Sequence, residues 1–354
     1  MSAAGAAGDT VLARVEGRLG RLTLNRPRAI NALDHAMVDT LRGALTAWED
    51  DDAVSAVLLD GAGERGLCAG GDVRAIRASA LDGDLRAAAF WRDEYLLNAH
   101  IARYAKPYAA FMDGVVMGGG VGVSAHGSVR IVTERTVLGM PETTIGFVPD
   151  VGGTYLLSRA PGETGTHLAL TAGSVGAGDA LYLGLADHFV PSGRLPELAV
   201  ALADAASAEE VAEAVGRFAE APPDSDLRGR RHWIDSCYAA DTAEEVVERL
   251  RAHGDPEAAR AAATVLAKSP TAVKATLAAL RRARELPGLE AVLEQEYRVS
   301  CASLASPDVA EGIRAQVVDK DRSPKWVPDT LEAVSDEDVA RHFVPAPDGP
   351  LGLV

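Results

Sequence analysis

Two carboxylates stand in an apolar run that contains no other ionisable side chain between Val137 and Tyr155. Glu142 follows a proline, and Asp150 precedes a pair of glycines. A carboxylate near buried surface must be paired, hydrogen-bonded or shifted in pKa, as it is in an acid/base pair. A structural role is also compatible with the pattern, with Glu142 capping backbone amides and Asp150 acting as the N-cap of a helix that starts near Gly152.

Three consecutive glycines, Gly118, Gly119 and Gly120, follow a β-type run from Tyr108 to Asp113. This pattern predicts a turn from a strand into the start of a helix, where the first backbone N–H groups have no intrahelical partner. A carbonyl oxygen can approach glycine amides closely, and the helix dipole favours negative charge there. One such donor to a developing oxyanion contributes about 10²–10³ in rate. A tight packing turn explains a bare triple glycine equally well.

These features belong to a wider set of motifs spread over nearly the whole chain. The set resembles the enoyl-CoA hydratase/isomerase (crotonase) superfamily and, within it, most of all the 3-hydroxyisobutyryl-CoA hydrolases. The motifs are NRP-x-x-x-NAL (residues 25–33), CAGGDV (68–73), MGGGVG (117–122), PET-x-x-GF-x-PDVGG (141–153), KSPTAVK (268–274), EYRVS (296–300) and DKDRSPKW (319–326).

The resemblance implies an α/β protein with a crotonase (ClpP-like) fold, a spiral of β-β-α units followed by a helical C-terminal region. It implies a thioester hydrolase of valine breakdown that converts 3-hydroxyisobutyryl-CoA and water into 3-hydroxyisobutyrate and CoA. The backbone N–H groups of Gly71 and Gly119 would form the oxyanion site. Substrate would also contact Gly118 and Glu94, although Glu94 by itself reads as an ordinary solvated helix residue.

Hydrolysis of a thioester needs an attacking oxygen and control of the leaving thiolate. Glu142 would supply or activate that oxygen, either as a nucleophile that forms an acyl-enzyme anhydride or as a general base to water. A thiol has a pKa near ~8.5, so the leaving group needs little help. Asp150 would position water or handle a proton, and the two carboxylates would titrate as a coupled pair if they lie close together.

Two other functions remain open. The first is an enoyl-CoA hydratase or an enoyl- or dienoyl-CoA isomerase on the same fold. The resembled hydratases carry a glutamate two residues after the triple glycine, where this chain has Gly122, so one of the two carboxylates that hydration requires is missing. The second is a non-catalytic crotonase-fold protein that binds RNA or a partner, which the presence of Glu142 and Asp150 disfavours.

Composition restricts the partners. The chain has 354 residues, 47% hydrophobic and 24% charged, with a net charge of −16. That charge argues against a nucleic-acid binder, and no apolar run approaches the ~20 residues that cross a membrane. We therefore expect an acyl-CoA substrate, no nucleic acid, no membrane, no metal, and no cofactor beyond the substrate's own CoA. The histidines show no metal-binding spacing.

The three cysteines, Cys68, Cys237 and Cys301, show no C-x-x-C spacing. A sparse, odd number of cysteines is typical of a reducing compartment. The first ten residues, MSAAGAAGDT, have neither the features of a signal peptide nor the arginines of a transit peptide. These observations favour the cytoplasm.

The order of predicted elements suggests a crotonase-like core with the active site in residues 1–191 and a mostly helical region packing on it in residues 192–354. A hairpin is expected around Gly17, and Asp34 and Asp72 are expected to cap helices. The tail from about Pro345 is expected to be loosely held. A homo-oligomer is one option, because the superfamily core often assembles into trimers and hexamers.

Overall fold

The computed structural model describes residues 9–354, so the prediction about the start of the chain lies largely outside the described range. The strands are β1 (Val11–Glu16), β2 (Leu19–Leu24), β3 (Ala56–Gly61), β4 (Tyr108–Met112), β5 (Val115–Met117), β6 (Val129–Val132), β7 (Val137–Gly139), β8 (Ser174–Val175) and β9 (His188–Phe189). The α-helices are α1 (His35–Glu49), α2 (Val73–Asp82), α3 (Arg86–Arg103), α4 (Gly119–Ser124), α5 (Gly153–Ser158), α6 (Thr164–Thr171), α7 (Ala177–Tyr182), α8 (Leu195–Asp204), α9 (Ala208–Phe218), α10 (Asp226–Tyr238), α11 (Ala243–Ala252), α12 (Pro256–Leu266), α13 (Pro270–Ala283), α14 (Leu289–Leu304), α15 (Pro307–Ile313) and α16 (Asp336–Ala340).

The chain forms two compact units, each assembled from three separate segments. The first unit, rich in strands, contains residues 9–71, 96–138 and 175–224. The second, mostly helical, contains residues 72–95, 139–174 and 225–354. The division of the chain into residues 1–191 and 192–354 stays a prediction.

A six-stranded sheet with the order β1-β2-β3-β4-β6-β9 is the framework of the first unit. Strands β1 and β2 form the predicted hairpin, with Val11 opposite Leu24, and every other pairing in the sheet is parallel. The residues of β4 are all buried, as expected for a parallel strand covered on both faces. A separate three-stranded sheet has the order β5-β7-β8. The mixed α/β architecture agrees with the predicted fold class.

Helices of the first unit bury the sheet. Leu58 and Phe111 pack against Leu198 of α8 in one apolar cluster. Helix α1 buries one apolar face, and the Asp34 side chain accepts a hydrogen bond from the Met37 amide at 2.9 Å, as predicted. Because β3 and β4 run parallel, the segments that follow them leave the same edge of the sheet. These segments carry the predicted oxyanion glycines.

Paired charges and aromatic rings lie between the helices of the second unit. Glu163 accepts hydrogen bonds from Arg281 and Arg284, each at 2.8 Å. The rings of Trp91 and Phe147 stack with centroids 5.0 Å apart. Across residues 9–354, no helix combines the length and the apolar character that a membrane span requires.

Two local predictions are wrong. Asp72 precedes α2, but its side chain makes no capping hydrogen bond, and its ψ of 83° departs from the extended backbone typical of a capping residue. The tail is not loosely held, because buried Glu294 of α14 accepts hydrogen bonds from the amides of Leu351, Gly352 and Leu353 at 3.1, 2.7 and 3.0 Å.

Candidate active site

Backbone pairing aligns the two glycine-bearing segments of the first unit. The Cys68 amide donates to Val115 O at 3.0 Å, and the Met117 amide donates to Cys68 O at 2.9 Å. The chain after β3 therefore runs beside β5 up to the triple glycine, and Gly71 also pairs with Leu33 in an isolated bridge. This pairing fixes the position of residues 68–71 relative to the start of α4.

Close approach requires glycine at Gly120. A Cβ added to Gly120 would lie 2.7 Å from Cys68 O and 2.9 Å from Cys68 Cβ, so α4 begins in direct contact with the neighbouring backbone. A Cβ on Gly70 would lie 3.7 Å from the Gly119 nitrogen. The positions predicted as oxyanion donors, Gly71 and Gly119, thus belong to adjacent segments. Helix α4 has only six residues, so its first N–H groups matter more here than a long helix dipole.

Glu142 starts a 3₁₀ turn, Glu142–Ile145, in the second unit. Its side chain is buried, and its Oε2 has no hydrogen-bond partner among the described residues. Helix α15 fixes the turn by close backbone contact, because a Cβ on Gly312 would lie 2.4 Å from the Ile145 carbonyl carbon. Lys268 Nζ also donates to Thr144 Oγ1 at 2.7 Å. Helix α15 and Lys268 therefore fix the turn, while Oε2 of Glu142 remains without a hydrogen bond to the described residues.

Asp150 lies in irregular chain before α5 and is 5% exposed. Its Oδ2 accepts a hydrogen bond from Tyr95 Oη at 2.6 Å. The alternative role of Asp150 as a helix N-cap is wrong. Helix α5 begins at Gly153, Gly152 occupies the N-cap position, and no side chain caps the helix. The Asp150 carboxyl group is therefore buried and hydrogen-bonded to a tyrosine.

Glu94 lies on α3 directly before Tyr95 and is 2% exposed. Its Oε1 has no hydrogen-bond partner among the described residues. The interpretation of Glu94 as a solvated helix residue is therefore wrong, because the second unit buries this face of α3. The position is compatible with the substrate contact that the resemblance implies.

Burial and mutual repulsion shift the pKa values of these three carboxyls in one direction. Burial raises the pKa of Asp150 to about 7, although the Tyr95 hydrogen bond opposes the rise. Burial raises the pKa of Glu142 and of Glu94 well above the usual range, and the negative charge of Asp150 adds to both shifts. The second unit therefore brings Glu94, Glu142 and Asp150 into one electrostatic group, here called the carboxyl cluster. Carboxyls that titrate near neutral pH are typical of acid/base sites.

The site residues predicted from the sequence do not include three residues that surround Asp150, although two of them belong to the EYRVS motif. Tyr95 contacts it directly, Ser300 lies 2.7 Å from Tyr95 Oη, and Glu296 binds the backbone that follows it. Glu296 follows Val292 by four residues, which places it on the apolar face of α14. A carboxylate on a buried helix face is costly, so that position was a signal that could have been used.

A cavity of about 520 Å³ lies elsewhere, in the first unit. It is lined by charged side chains, including Arg21 and Asp60, and by apolar residues of α8 such as Leu195. Arg21 and Asp60 already pair at 2.6 Å, and the lining contains none of the predicted site residues. This cavity therefore does not coincide with the predicted site residues.

The chain is similar to proteins of one family. The profile of the enoyl-CoA hydratase/isomerase family matches residues 19–343. A chicken (Gallus gallus) protein named "3-hydroxyisobutyryl-CoA hydrolase, mitochondrial" is 41% identical over 351 residues, which cover 97% of this chain and 91% of that protein.

Two solved structures are similar over almost their whole length. One, described as a carnitinyl-CoA dehydratase from Mycobacterium thermoresistibile, is 54% identical with a TM-score of 0.92 and covers 96% of this chain and 98% of its own. The other, described as an enoyl-CoA hydratase from Rhodobacter sphaeroides, is 41% identical with a TM-score of 0.90 and covers 97% of this chain and 99% of its own. The fold of these proteins is the fold of this chain, and the predicted crotonase fold is confirmed.

Proposed function

The chain belongs to the enoyl-CoA hydratase/isomerase family, and on that premise we propose that it is a thioester hydrolase that converts 3-hydroxyisobutyryl-CoA and water into 3-hydroxyisobutyrate and CoA. The observation that carries this proposal is the similarity, at 41% identity over 97% of the chain, to a hydrolase of that name. The buried carboxyls Glu142 and Asp150 supply groups suited to the reaction.

Polarisation of the thioester carbonyl is assigned to backbone amides. In the proposed reaction the N–H groups of Gly71 and Gly119 donate to the carbonyl oxygen as it gains negative charge. The adjacency of the two glycine segments supports this role, because a Gly70 Cβ would lie 3.7 Å from the Gly119 nitrogen. Each donor would contribute about 10²–10³ in rate.

Glu142 provides the attacking oxygen or activates it. In the covalent route its carboxylate attacks the thioester carbon, the C–S bond breaks, and water then hydrolyses the resulting anhydride. In the other route Glu142 takes a proton from water, which attacks the same carbon. The open Oε2 atom of Glu142 supports either route, and the raised pKa makes its ionised form a strong base.

Asp150 is proposed to act as the proton donor of the reaction or to orient the attacking water. Near neutral pH the repulsion between Glu142 and Asp150 favours a single negative charge on the pair. The pair loses its first proton at Asp150, whose pKa is about 7. In the reactive form the proton of Glu142 has passed to Asp150, so Glu142 is ionised and Asp150 carries the proton. Asp150 then gives that proton to the departing CoA thiolate, or orients the attacking water. The pair thereby contains both the acid and the base.

Substrate binding is assigned to Gly118 and Glu94. Burial raises the pKa of Glu94 well above its usual range, which favours the protonated form of this carboxyl as a hydrogen-bond donor. The unpartnered Oε1 of Glu94 supports a contact with a polar group of the acyl chain, such as a hydroxyl. Gly118 precedes the Gly119 donor and has a φ of +49°, which favours glycine.

A second candidate function is dehydration or hydration of an acyl-CoA. It is favoured by the 54% identity to the structure described as a carnitinyl-CoA dehydratase and by the hydratase of Rhodobacter sphaeroides. Gly122 argues against it, because the hydratases resembled by this chain have a glutamate at that position. The absence of that second carboxylate favours attack on the carbonyl carbon.

The test is a pair of assays on the same enzyme preparation. Thiol release from 3-hydroxyisobutyryl-CoA and 3-hydroxypropionyl-CoA is followed with a colorimetric thiol reagent. Hydration of crotonyl-CoA and dehydration of carnitinyl-CoA are followed in parallel. We expect rapid thiol release without hydration. Hydration, dehydration or isomerisation without thiol release would contradict the proposal, and CoA binding without any turnover would favour the non-catalytic alternative.

The biological setting is proposed on the same basis. The reaction would be a step of valine breakdown, and the three free, buried cysteines support a reducing compartment, the cytoplasm. The chicken relative is named as a mitochondrial protein. The reaction as written consumes only water, so we propose that it needs no metal and no separate cofactor. We also propose that the protein is a homo-oligomer, and the molar mass measured by light scattering of the purified protein tests this.

A further inference from the structure

We propose that Glu296 and Ser300, one turn apart on α14, are positioning residues that hold the Asp150 carboxyl in its reactive orientation. The inference deepens the proposed function and rests on it for the catalytic consequence. It concerns a helix to which the sequence analysis assigned no catalytic role. Its basis is a network of hydrogen bonds within the second unit.

Glu296 binds the turn that follows Asp150. Its Oε2 accepts the Gly152 amide at 2.6 Å, and its Oε1 accepts the Thr154 amide at 2.8 Å and Thr154 Oγ1 at 2.5 Å. Between Asp150 and Gly152, Val151 has a φ of +53°. A β-branched residue in the left-handed region is strained, at about 1–3 kcal/mol, and persists only where its surroundings impose it. The three bonds to Glu296 impose it here.

Ser300 affects the Asp150 carboxyl indirectly, by its hydrogen bond to Tyr95. The single Tyr95 hydroxyl proton is given to Asp150 Oδ2 at 2.6 Å, so the 2.7 Å contact with Ser300 requires the serine hydroxyl to donate to Tyr95. Bonds in such a chain strengthen one another, and Tyr95 becomes a better donor to Asp150. Residues 296 and 300 lie on the same face of the helix. One helix face therefore fixes both the backbone and the carboxyl of Asp150.

The electrostatics of Glu296 point to a function beyond packing. The pKa of Glu296 is raised to about 8, chiefly by burial and in part by the charge of Asp150, while the hydrogen bonds from Thr154 and Gly152 oppose the rise. The same helix contains a structural counterpart, Glu294, which is also buried and accepts three hydrogen bonds, all from backbone amides of the tail. A second buried carboxylate aimed at the Asp150 turn is costly for the fold alone.

The experiment compares matched pairs in the full chain. Glu296→Gln keeps the size of the side chain but replaces one acceptor oxygen with an NH₂ group, which cannot accept the Gly152 or Thr154 amide. Its control is Glu294→Gln. Ser300→Ala removes the donor to Tyr95, and its control is Ser303→Ala, which loses a buried hydroxyl bonded only within α14, to Val299 O. Each variant is measured for kcat, KM, the pH profile of kcat/KM, and hydrogen exchange of the peptide around residues 148–156.

We expect Glu296→Gln to lower kcat about tenfold to a hundredfold with KM within threefold, because a displaced catalytic group affects the chemical step more than binding. Exchange in peptide 148–156 should become faster. Ser300→Ala should move the acid limb of the pH profile a few tenths of a unit higher, because the pKa of Asp150 rises. Neither control should show these effects.

Each outcome decides the inference. Wild-type kcat and exchange in Glu296→Gln would overturn it, and so would an equal loss of kcat in Glu294→Gln, since that would reflect a general disturbance of α14. If Glu296→Gln fails to fold, an unshifted pH profile in Ser300→Ala would overturn the inference. Faster exchange in Glu296→Gln together with a wild type that releases no thiol would support positioning and refute the proposed hydrolase instead.

Discussion

The glycine segments of the first unit and the carboxyl cluster of the second prepare their chemistry by opposite means. The glycine segments offer backbone N–H groups, which every chain possesses and which carry no net charge. The carboxyl cluster buries Glu94, Glu142 and Asp150 where the ionised form is disfavoured. One region needs only close backbone approach, while the other requires the fold to hold groups that oppose their own burial.

Because of this difference, substitutions in the two regions should affect stability and activity in different ways. Substitutions in the glycine segments should harm folding and activity together, because the same backbone contacts serve both. Neutralising a member of the carboxyl cluster should remove activity while relieving electrostatic repulsion. Such a trade-off between stability and function is common in active sites.

The sharpest test of the comparison is Glu142→Gln. We expect kcat for thiol release to fall about a thousandfold, because the variant retains the shape of the side chain but has neither a nucleophile nor a base. Binding of CoA measured by calorimetry should stay within threefold of wild type. The exposed Glu248→Gln, in the same unit, is the control and should retain full activity. Near wild-type turnover in Glu142→Gln would refute the mechanism.

Gly120→Ala tests the other region. The added methyl would lie 2.7 Å from Cys68 O, so the start of α4 must move away. We expect a loss of about 1–3 kcal/mol in the free energy of unfolding, together with lower kcat. Gly216→Ala is the matched control: its Cβ would meet nothing within 4 Å, and a helical alanine should stabilise by about 0.5–1 kcal/mol. Equal behaviour of the two variants in urea denaturation would break the comparison.

Tyr95→Phe separates orientation from charge within the carboxyl cluster. The hydrogen bond from Tyr95 lowers the pKa of Asp150, which burial holds at about 7. Its loss should raise that pKa by about one unit. Because the reactive form needs one ionised carboxyl, the acid limb of the profile of kcat/KM against pH should move to higher pH by a similar amount. An unchanged limb would mean that Asp150 does not govern it.

The smallest expected effect is on stability against pH. The Glu142 carboxyl has a raised pKa in the folded protein, so the folded state binds the proton more tightly than the unfolded chain does. Its contribution is fully present below the unfolded pKa, near ~4.5, and is lost as pH rises toward the folded pKa. Glu142→Gln has no carboxyl at this position, so it does not lose stability in this way as pH rises. Relative to wild type its melting temperature should therefore rise as pH increases above about 5, by roughly 1–3 °C. A difference that does not change with pH would contradict the assignment of repulsion to Glu142.

Local features of the chain could be predicted because they depend on neighbouring residues. The hairpin at Gly17, the cap of α1 by Asp34 and the turn from strand to helix at the triple glycine follow from periodicity and turn chemistry. The apolar run around Glu142 and Asp150 likewise predicted two buried carboxylates. These predictions needed no knowledge of which elements meet.

The surroundings of Asp150 were decided only by the tertiary structure. Tyr95 lies 55 residues from Asp150 in the chain, Ser300 is 205 residues from Tyr95, and Glu296 is 144 residues from the Gly152 amide that it binds. No local pattern relates positions so far apart, because packing of α3 and α14 brings them together. The sequence by itself determined which groups could do chemistry, whereas the fold determined their pKa values and orientation, since both depend on burial and on partners distant in the chain.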